Sequence, residues 1–354
     1  MKYFIYLILM MFISFFTYAD ITLSDLDNSS VWNKTVDDNV TYYTKKDYGK
    51  IPVLCFHKIG EEKRYEITAD SFESFLIYLN ENKFFVLSDK ELLSRDFSKV
   101  PTGYTPIVLG SDDASEGNFL YKTTTEDSEN GVIDISSGQA ELQEDTMVYL
   151  LEKYLAPVDG RINFTFYISF DDVPFRQTGG QSSKEEYYQG LDLVATKFNY
   201  LLDNFIVGIH TVNHRVTKDI SVSDFKWELD EFFKIMRGYT GDRVSMINTL
   251  AYPYGCADLD PELRNMILNY DNNGLNVAGA FDFDGYFSQS PFHNSFDNLE
   301  VSRFGVDNQN IDLLYGFLES VPLFNTTRVV VVDSEADLKD VLYTDDDQII
   351  VGSL

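Results

Sequence analysis

The sequence has few basic residues, few cysteines and few histidines. Its 354 residues include 28 Lys and Arg against 57 Asp and Glu, so the formal net charge is −29 at pH 7. Nothing basic is clustered to neutralise phosphates, which excludes a general nucleic-acid binder. So many acidic residues are typical of a solvated protein surface. Alternatively, they attract a cationic polymer that carries free amines. Cys55 and Cys256 are the two cysteines; they form no disulfide framework, and a single pair and free thiols both stay open.

Apolar runs of membrane-spanning length are also missing. The longest apolar run, residues 4–16, follows Lys2, and the small residue Ala19 precedes Asp20. This run is shorter than the roughly 20 residues that a membrane span needs, and its order is that of a cleaved export signal. The sequence therefore predicts a signal peptide at 1–19, no stable membrane span after cleavage, and an exported protein that is periplasmic or secreted.

Short apolar strands alternate with amphipathic helices from residue 50 onward. Strand candidates at 51–57, 84–88, 106–110 and 162–170 alternate with helix candidates at 72–79 and 147–155. This βαβα order predicts a parallel sheet, either doubly wound or closed into a barrel.

Two polar segments interrupt this alternation. Residues 116–143 are rich in Thr, Ser, Glu and Gly and lack periodicity, so they are predicted to be an insertion that forms a binding or lid loop. Residues 20–49 are polar and are predicted to form an extended N-terminal arm. Residues 50–354 would then form a single catalytic domain.

Two of the four histidines, His210 and His214, are spaced i and i+4. If this stretch is helical, the two imidazoles share one face, and a carboxylate from another strand would complete a set of three metal ligands. Such a set leaves an open position at which a divalent ion activates water and stabilises an oxyanion. Adjacent aspartates occur twice at strand ends, in GSDDA (110–114) and in SFDD (169–172). Because functional groups gather at the carboxyl ends of parallel strands, both pairs are expected near the histidines.

Five motifs occur in a fixed order along residues 50–305. They are PVLCFH (52–57), GSDDA (110–114), INFTFYI (162–168), HTVNH (210–214) and AYPYG (251–255). In this order they resemble the motifs of polysaccharide deacetylases with a NodB-homology domain, carbohydrate esterase family four. The resemblance implies an α/β fold of the irregular (β/α) barrel type. It also implies a metal-dependent hydrolase that removes N-acetyl groups from an extracytoplasmic polysaccharide of the peptidoglycan or poly-N-acetylglucosamine type.

The order of the motifs also favours one acidic pair. GSDDA precedes INFTFYI, as in the family, whereas SFDD follows it. The resemblance implies that Asp112 is the general base and that Asp113 binds one divalent metal ion together with His210 and His214. Zinc fits this ligand set best, although related divalent ions suit similar ligands. The backbone N–H of Tyr254 is expected to help bind the oxyanion.

The general acid and the substrate contacts come from outside this set. The family's leucine-rich strand that ends in His is missing near the C-terminus. His57, at the end of the first strand, is therefore the candidate acid, or else a structural histidine. Asp171 and Asp172 are candidate substrate contacts, or else part of a solvated loop. Tyr252 is a further candidate substrate contact, and His293 is expected in a surface loop.

Departures from the family pattern leave two other functions open. Gly110 and Ser111 replace the Thr-Phe of the family's TFDDG motif, and Ala114 replaces its final Gly. Ala251 stands where many members carry an Arg that orients the base. One alternative is an esterase that removes O-acetyl groups from xylan, and the other is a catalytically degenerate carbohydrate-binding module. For the deacetylase and the esterase, the expected partner is an acetylated polysaccharide or oligosaccharide.

Overall fold

The computed structural model describes residues 21–61, 64–122, 140–178, 187–256, 258–340 and 343–352. The predicted signal peptide at 1–19 and residues 123–139 of the predicted insertion lie outside these residues. Within them, no helix is both long and apolar enough to cross a membrane.

The secondary structure alternates strands and helices over most of the described chain. The strands are β1 (Trp32–Asp37), β2 (Val40–Lys45), β3 (Val53–Phe56), β4 (Lys58–Ile59), β5 (Glu66–Ile67), β6 (Phe84–Leu87), β7 (Thr105–Ser111), β8 (Thr165–Ile168), β9 (Gln177–Thr178), β10 (Tyr187–Gln189), β11 (Ile206–Ile209), β12 (Thr249–Ala251), β13 (Gly279–Phe281), β14 (Phe304–Gly305), β15 (Arg328–Val332) and β16 (Gln348–Val351). The α-helices are α1 (Leu23–Leu26), α2 (Ala69–Glu81), α3 (Asp89–Ser94), α4 (Met147–Tyr154), α5 (Leu191–Asn204), α6 (Val222–Thr240), α7 (Pro261–Leu268) and α8 (Ile311–Ser320).

Eight of these strands form one parallel sheet. Its order is β13-β12-β11-β8-β7-β3-β14, and β6 pairs with the first half of β7. All of these pairings are parallel. The sheet curls without closing, because β13 and β14 are its two edges. The predicted fold class, an irregular (β/α) barrel, is confirmed.

Side chains on the two faces of the sheet build two separate clusters of buried residues. On β3, Leu54 and Phe56 belong to the outer cluster, where the Phe56 ring lies 5.0 Å from the ring of Phe72 on α2. Val53 belongs to the inner cluster on the concave face, together with Tyr167 of β8. This alternation is the expected consequence of successive strand residues pointing to opposite faces. Helices therefore cover one face, and the other face encloses the interior of the barrel.

The N-terminal segment differs from its prediction. Residues 21–49 do not form an extended arm, because β1 and β2 pair as an antiparallel hairpin. This hairpin continues through β15 to β16, which gives a four-stranded sheet of both chain ends. A fully buried ion pair between Arg328 and Asp347, 2.5 Å long, lies at this sheet. Arg328 also donates a hydrogen bond to the carbonyl oxygen of Ser98, so the sheet is fastened to the loop before β7.

Candidate metal centre and active site

The predicted site residues lie at the carboxyl ends of neighbouring strands. Four strands of the parallel sheet contribute, and each polar group follows the last residue of its strand. They are His57 after β3, Asp112 and Asp113 after β7, His210 and His214 after β11, and Tyr252 and Tyr254 after β12. Because β3, β7, β8, β11 and β12 are consecutive in the sheet, these groups share one edge.

Three of these side chains converge on one point. The Oδ1 atom of Asp113 lies 3.3 Å from Nε2 of His210 and 3.1 Å from Nε2 of His214, and the two nitrogens are 3.1 Å apart. Nδ1 of His210 lies 2.8 Å from the carbonyl oxygen of Ala251. Nδ1 therefore carries the hydrogen, and Nε2 directs a lone pair at the other two atoms. Three ligands about 2.1 Å from a tetrahedral ion are about 3.4 Å apart, so this donor set fits a divalent ion such as zinc.

The two histidines converge through a loop and not through a helix. Residues 210–216 have no helical assignment, and Thr211 and His214 have φ values of 63° and 47° in the left-handed region. The buried carboxylate of Glu228 accepts hydrogen bonds from the backbone N–H groups of Val212 and Asn213, at 2.9 and 2.8 Å. Glu228 on α6 therefore holds the loop that brings His214 back towards His210.

The first aspartate of the pair, Asp112, is bound by an arginine that the sequence motifs did not indicate. Arg303, just before β14, donates to both carboxylate oxygens of Asp112 at 2.8 Å, and its Nε donates to the carbonyl oxygen of Asp282 at 2.7 Å. Burial alone would raise the pKa of Asp112, but the charges of Arg303 and His210 outweigh it and lower that pKa to about 2. Asp112 is thus an ionised, oriented carboxylate beside the triad, with Oδ2 3.7 Å from Nε2 of His210. Arg303 thus orients Asp112, although position 251 carries alanine.

The altered GSDDA motif is held in place by its own contacts. The Ser111 hydroxyl donates to the carbonyl oxygen of His57 at 3.0 Å, and the Asn118 amide donates to the same oxygen at 2.7 Å. These bonds tie the end of β7 to the end of β3. Asp113 and Ala114 both have positive φ values, 73° and 54°, so the chain turns sharply here although alanine replaces the family's glycine. The turn directs Asp112 and Asp113 to different partners.

A second group of potential ligands, Cys55, His57 and Asp112, adjoins the triad. Arg303 already neutralises Asp112, and its guanidinium would repel a cation at this point. Burial raises the pKa of the Cys55 thiol well above its usual range, which disfavours the thiolate that binds metals. Cys55 and Cys256 are both buried and free, so the two thiols do not pair. The triad of Asp113 and the two histidines is the better metal site.

The triad opens onto a groove. A cavity of about 390 Å³ is lined by Asp113 and His214 together with Asp171, Asp172 and Tyr254. A neighbouring cavity of about 370 Å³ shares two lining residues with the first, Lys58 and Glu116. Volumes of this size suit ligands bound along a cleft.

The pair Asp171 and Asp172 lies in this groove and not at the triad. Asp171 accepts a hydrogen bond from the Ser169 hydroxyl at 3.1 Å, and Asp172 forms an ion pair with Arg176 at 2.6 Å. Both side chains are exposed. Asp113 is therefore the carboxylate that the fold brings to the two histidines.

Tyr252 does not line the groove, and its prediction as a substrate contact is wrong. Its side chain is 0% exposed, and its ring lies 6.3 Å from that of Phe225 on α6. Ala251 belongs to the inner cluster, so the next residue points the opposite way, into the helix layer. Tyr254 is instead 66% exposed, and its ring lies edge-on to His214 at 4.7 Å. Tyr254 is the tyrosine of this motif that meets the groove.

His57 lies beside the site in an aromatic environment. Its ring is 4.9 Å from the ring of Tyr65 and 5.5 Å from that of Phe283, and its buried Nδ1 has no hydrogen-bond partner among the described residues. Burial lowers the pKa of His57, although Asp112 opposes that effect. His293 is exposed, as predicted, and bonds to the Ser295 hydroxyl at 2.7 Å.

Solved structures similar to this chain include deacetylases. A Streptococcus pyogenes deacetylase, PplD, solved in complex with acetate, is 15% identical with a TM-score of 0.48, over 76% of this chain and 98% of that chain. IcaB from Ammonifex degensii is 14% identical with a TM-score of 0.49, over 77% and 98% of the two chains. A de-N-acetylase from Aggregatibacter actinomycetemcomitans is 14% identical with a TM-score of 0.40, over 73% and 95%. No family model and no curated protein matches the chain.

Proposed function

We propose that this protein is a metal-dependent hydrolase of the polysaccharide deacetylase type, which removes N-acetyl groups from an extracytoplasmic polysaccharide. One observation carries the proposal. Asp113, His210 and His214 bring three lone pairs within 3.3 Å of one another, directly beside the ionised carboxylate of Asp112. A fixed carboxylate next to an open three-ligand site is the arrangement that metal-assisted hydrolysis requires.

The chain's own residues would divide the work of hydrolysis. When bound to the triad, a divalent ion, with zinc the best fit, would supply Lewis acidity that polarises the acetyl carbonyl and acidifies water. Asp112, oriented by Arg303, would take the proton from the attacking water. The backbone N–H of Tyr254 would stabilise the oxyanion, and His57 would give a proton to the leaving nitrogen.

The groove supports a polymeric substrate. The two adjoining cavities share Lys58 and Glu116, so the groove continues beyond the residues around the triad. The exposed ring of Tyr254 offers a face on which a sugar ring could stack, and Asp171 and Asp172 offer acceptors for its hydroxyl groups. The proposed substrate is an acetylated polysaccharide of the peptidoglycan or poly-N-acetylglucosamine type. We place the reaction outside the cytoplasmic membrane, on the basis of the export signal predicted at 1–19.

Acetate release tests this proposal. The purified protein is expected to release acetate from acetylated chito-oligosaccharides, to lose this activity after treatment with a chelator, and to regain it with zinc. Acetyl-xylan serves as the comparison substrate under the same conditions. Absence of release from both substrates, with metal bound, would leave only the binding-module function.

An O-acetyl esterase is the second candidate, because one observation favours it. The pKa of His57 is lowered by burial, so a smaller fraction of this residue carries the proton that a general acid must donate near neutral pH. An alcohol leaving group needs less protonation than an amine does. Faster acetate release from acetyl-xylan than from the N-acetylated oligosaccharide would therefore support the esterase.

Replacing His57 distinguishes these two reactions further. We expect His57→Ala to lower kcat on an N-acetyl substrate by at least about a hundredfold while metal content stays full. The same change should affect an activated acetyl ester much less, because a good leaving group needs little protonation. His293→Ala is the matched control, since His293 is exposed and lies in a surface loop. Equal losses on both substrates would make His57 a structural support of the site.

The acidic pair of the groove yields a separate prediction. We expect Asp171→Asn and Asp172→Asn to raise KM by less than about tenfold and to leave metal content unchanged, because neither carboxylate reaches the triad. Asp312→Asn, an exposed aspartate on α8, is the control. Loss of the metal in either groove variant would identify SFDD as the true ligand motif.

A further inference from the structure

Inside the barrel, directly beside Arg303, lies an aromatic ring that the proposed reaction does not use. The guanidinium carbon of Arg303 is 5.4 Å from the centroid of the Tyr167 ring, and both side chains are buried. The polar edge of the same guanidinium holds both oxygens of Asp112. The cation therefore lies between an aromatic ring and the carboxylate of the proposed base. A buried cation over such a ring is attracted to it more strongly than an exposed one.

The strands on both sides of β8 make room for this ring. A Cβ at Gly208 on β11 would lie 2.3 Å from Cδ1 of Tyr167, a distance that real side chains do not tolerate. A Cβ at Gly110 on β7 would lie 3.2 Å from Cε2 of the same ring and 2.9 Å from the carbonyl oxygen of Thr165. The Tyr167 ring thus requires glycine at position 208. At position 110 the closest atom is the carbonyl oxygen of Thr165, and the ring adds a second tight contact. This gives a physical reason for Gly110, which departs from the TFDDG pattern.

The far end of the ring is also fixed. The Tyr167 hydroxyl donates to the fully buried carboxylate of Asp89 at 3.2 Å, and the same carboxylate oxygen accepts the Thr249 hydroxyl. The ring is therefore clamped between two glycines along its sides and anchored at its tip. It gives Arg303 a rigid surface.

We propose that Tyr167 is a positioning residue for the reaction, which holds Arg303 and through it the carboxylate of Asp112. The inference rests on the proposed function for its catalytic part, since Asp112 is the base only if the site hydrolyses acetyl groups. Tyr167 touches no reacting atom, and its effect passes through the arginine. The ring face and not the hydroxyl makes this contact.

The activity test compares two substitutions at one position. Tyr167→Leu removes the ring and is expected to lower kcat about 10- to 30-fold, with KM within about twofold of wild type and full metal content. Tyr167→Phe keeps the ring, loses only the bond to Asp89, and should retain kcat within about threefold. An equal loss of kcat in both variants, or no loss in Tyr167→Leu, would overturn the proposal.

A second readout needs no activity and no metal. The effect of Tyr167→Leu on Tm is measured in the metal-free protein in two backgrounds, the wild type and an Arg303→Met/Asp112→Asn double variant that lacks the charges of both residues. Tyr167→Leu should lower Tm at least twice as much in the wild type as in the double variant. Tyr167→Phe should lower Tm equally in both backgrounds, because its hydroxyl contacts Asp89 alone. Equal losses for Tyr167→Leu in both backgrounds would show that the ring only fills space.

A wild-type protein that releases no acetate would refute the proposed function, and this cycle of variants would still decide whether Tyr167 and Arg303 are coupled. Should the double background not fold, the comparison of Phe and Leu at position 167 decides.

Discussion

Replacing Asp112 by Asn is expected to lower kcat for acetate release by about 10⁴-fold while the protein keeps its metal. The amide cannot take a proton from water, and loss of a general base is worth up to about that factor. Asp112 itself lies 3.7 Å from the nearer imidazole nitrogen and is bound by Arg303, so it does not complete the ligand set. Metal analysis of the purified variant, with kcat measured on the same sample, gives both quantities.

The neighbouring substitution, Asp113→Asn, is the matched comparison. The Oδ1 atom of Asp113 is within 3.3 Å of both imidazole nitrogens. Loss of this anionic ligand should therefore lower the affinity for the metal by more than about a hundredfold. Asp112→Asn also leaves Arg303 buried without its partner, so Tm is recorded to confirm folding. Equal loss of metal in the two variants would show that the division of roles between the two aspartates is wrong.

Removal of either imidazole gives the second large effect. His210→Ala and His214→Ala should each reduce metal from one ion per chain to less than about a tenth, because two remaining protein ligands hold a divalent ion too weakly. His293→Ala should keep one ion per chain, since that side chain is exposed and does not belong to the triad. Tight binding of one ion per chain in both triad variants would refute the metal site.

The fold and most of the site could be predicted because both follow from short stretches of sequence. Apolar strands that alternate with amphipathic helices dictate a parallel sheet, and polar residues after consecutive strands then meet at one edge. This is how Asp113 and His214, far apart in sequence, come within 3.1 Å. The role of Arg303 was not predicted, because this residue is 191 residues from Asp112 in the sequence and belongs to no motif. The one available signal was a lone arginine among apolar neighbours, in the segment SRFGV (302–306), of a strongly acidic chain.

The direction of individual side chains was harder to predict than their position. Tyr252 and Tyr254 occupy the same motif, directly after β12. Only the structure shows that the Tyr252 side chain is buried in the core and that the Tyr254 side chain is exposed at the groove. The loop of HTVNH depends on the buried carboxylate of Glu228, which lies on the next α-helix along the chain. The N-terminal hairpin is a different case. The residues on both sides of the Asp-Asn turn at 38–39 alternate in a pattern that is typical of strands, but the polar composition of the segment suggested an arm instead. Its partner, β15, lies almost 300 residues further along the chain.

A zinc titration of the chelated protein tests the central claim most directly. The account predicts that acetate release from an N-acetylated chito-oligosaccharide rises in proportion to added zinc and levels off at one equivalent per chain. His214→Ala, titrated in parallel, should show no rise over the same range. Full acetate release without metal, or one tightly bound equivalent of zinc without any release, would contradict the account.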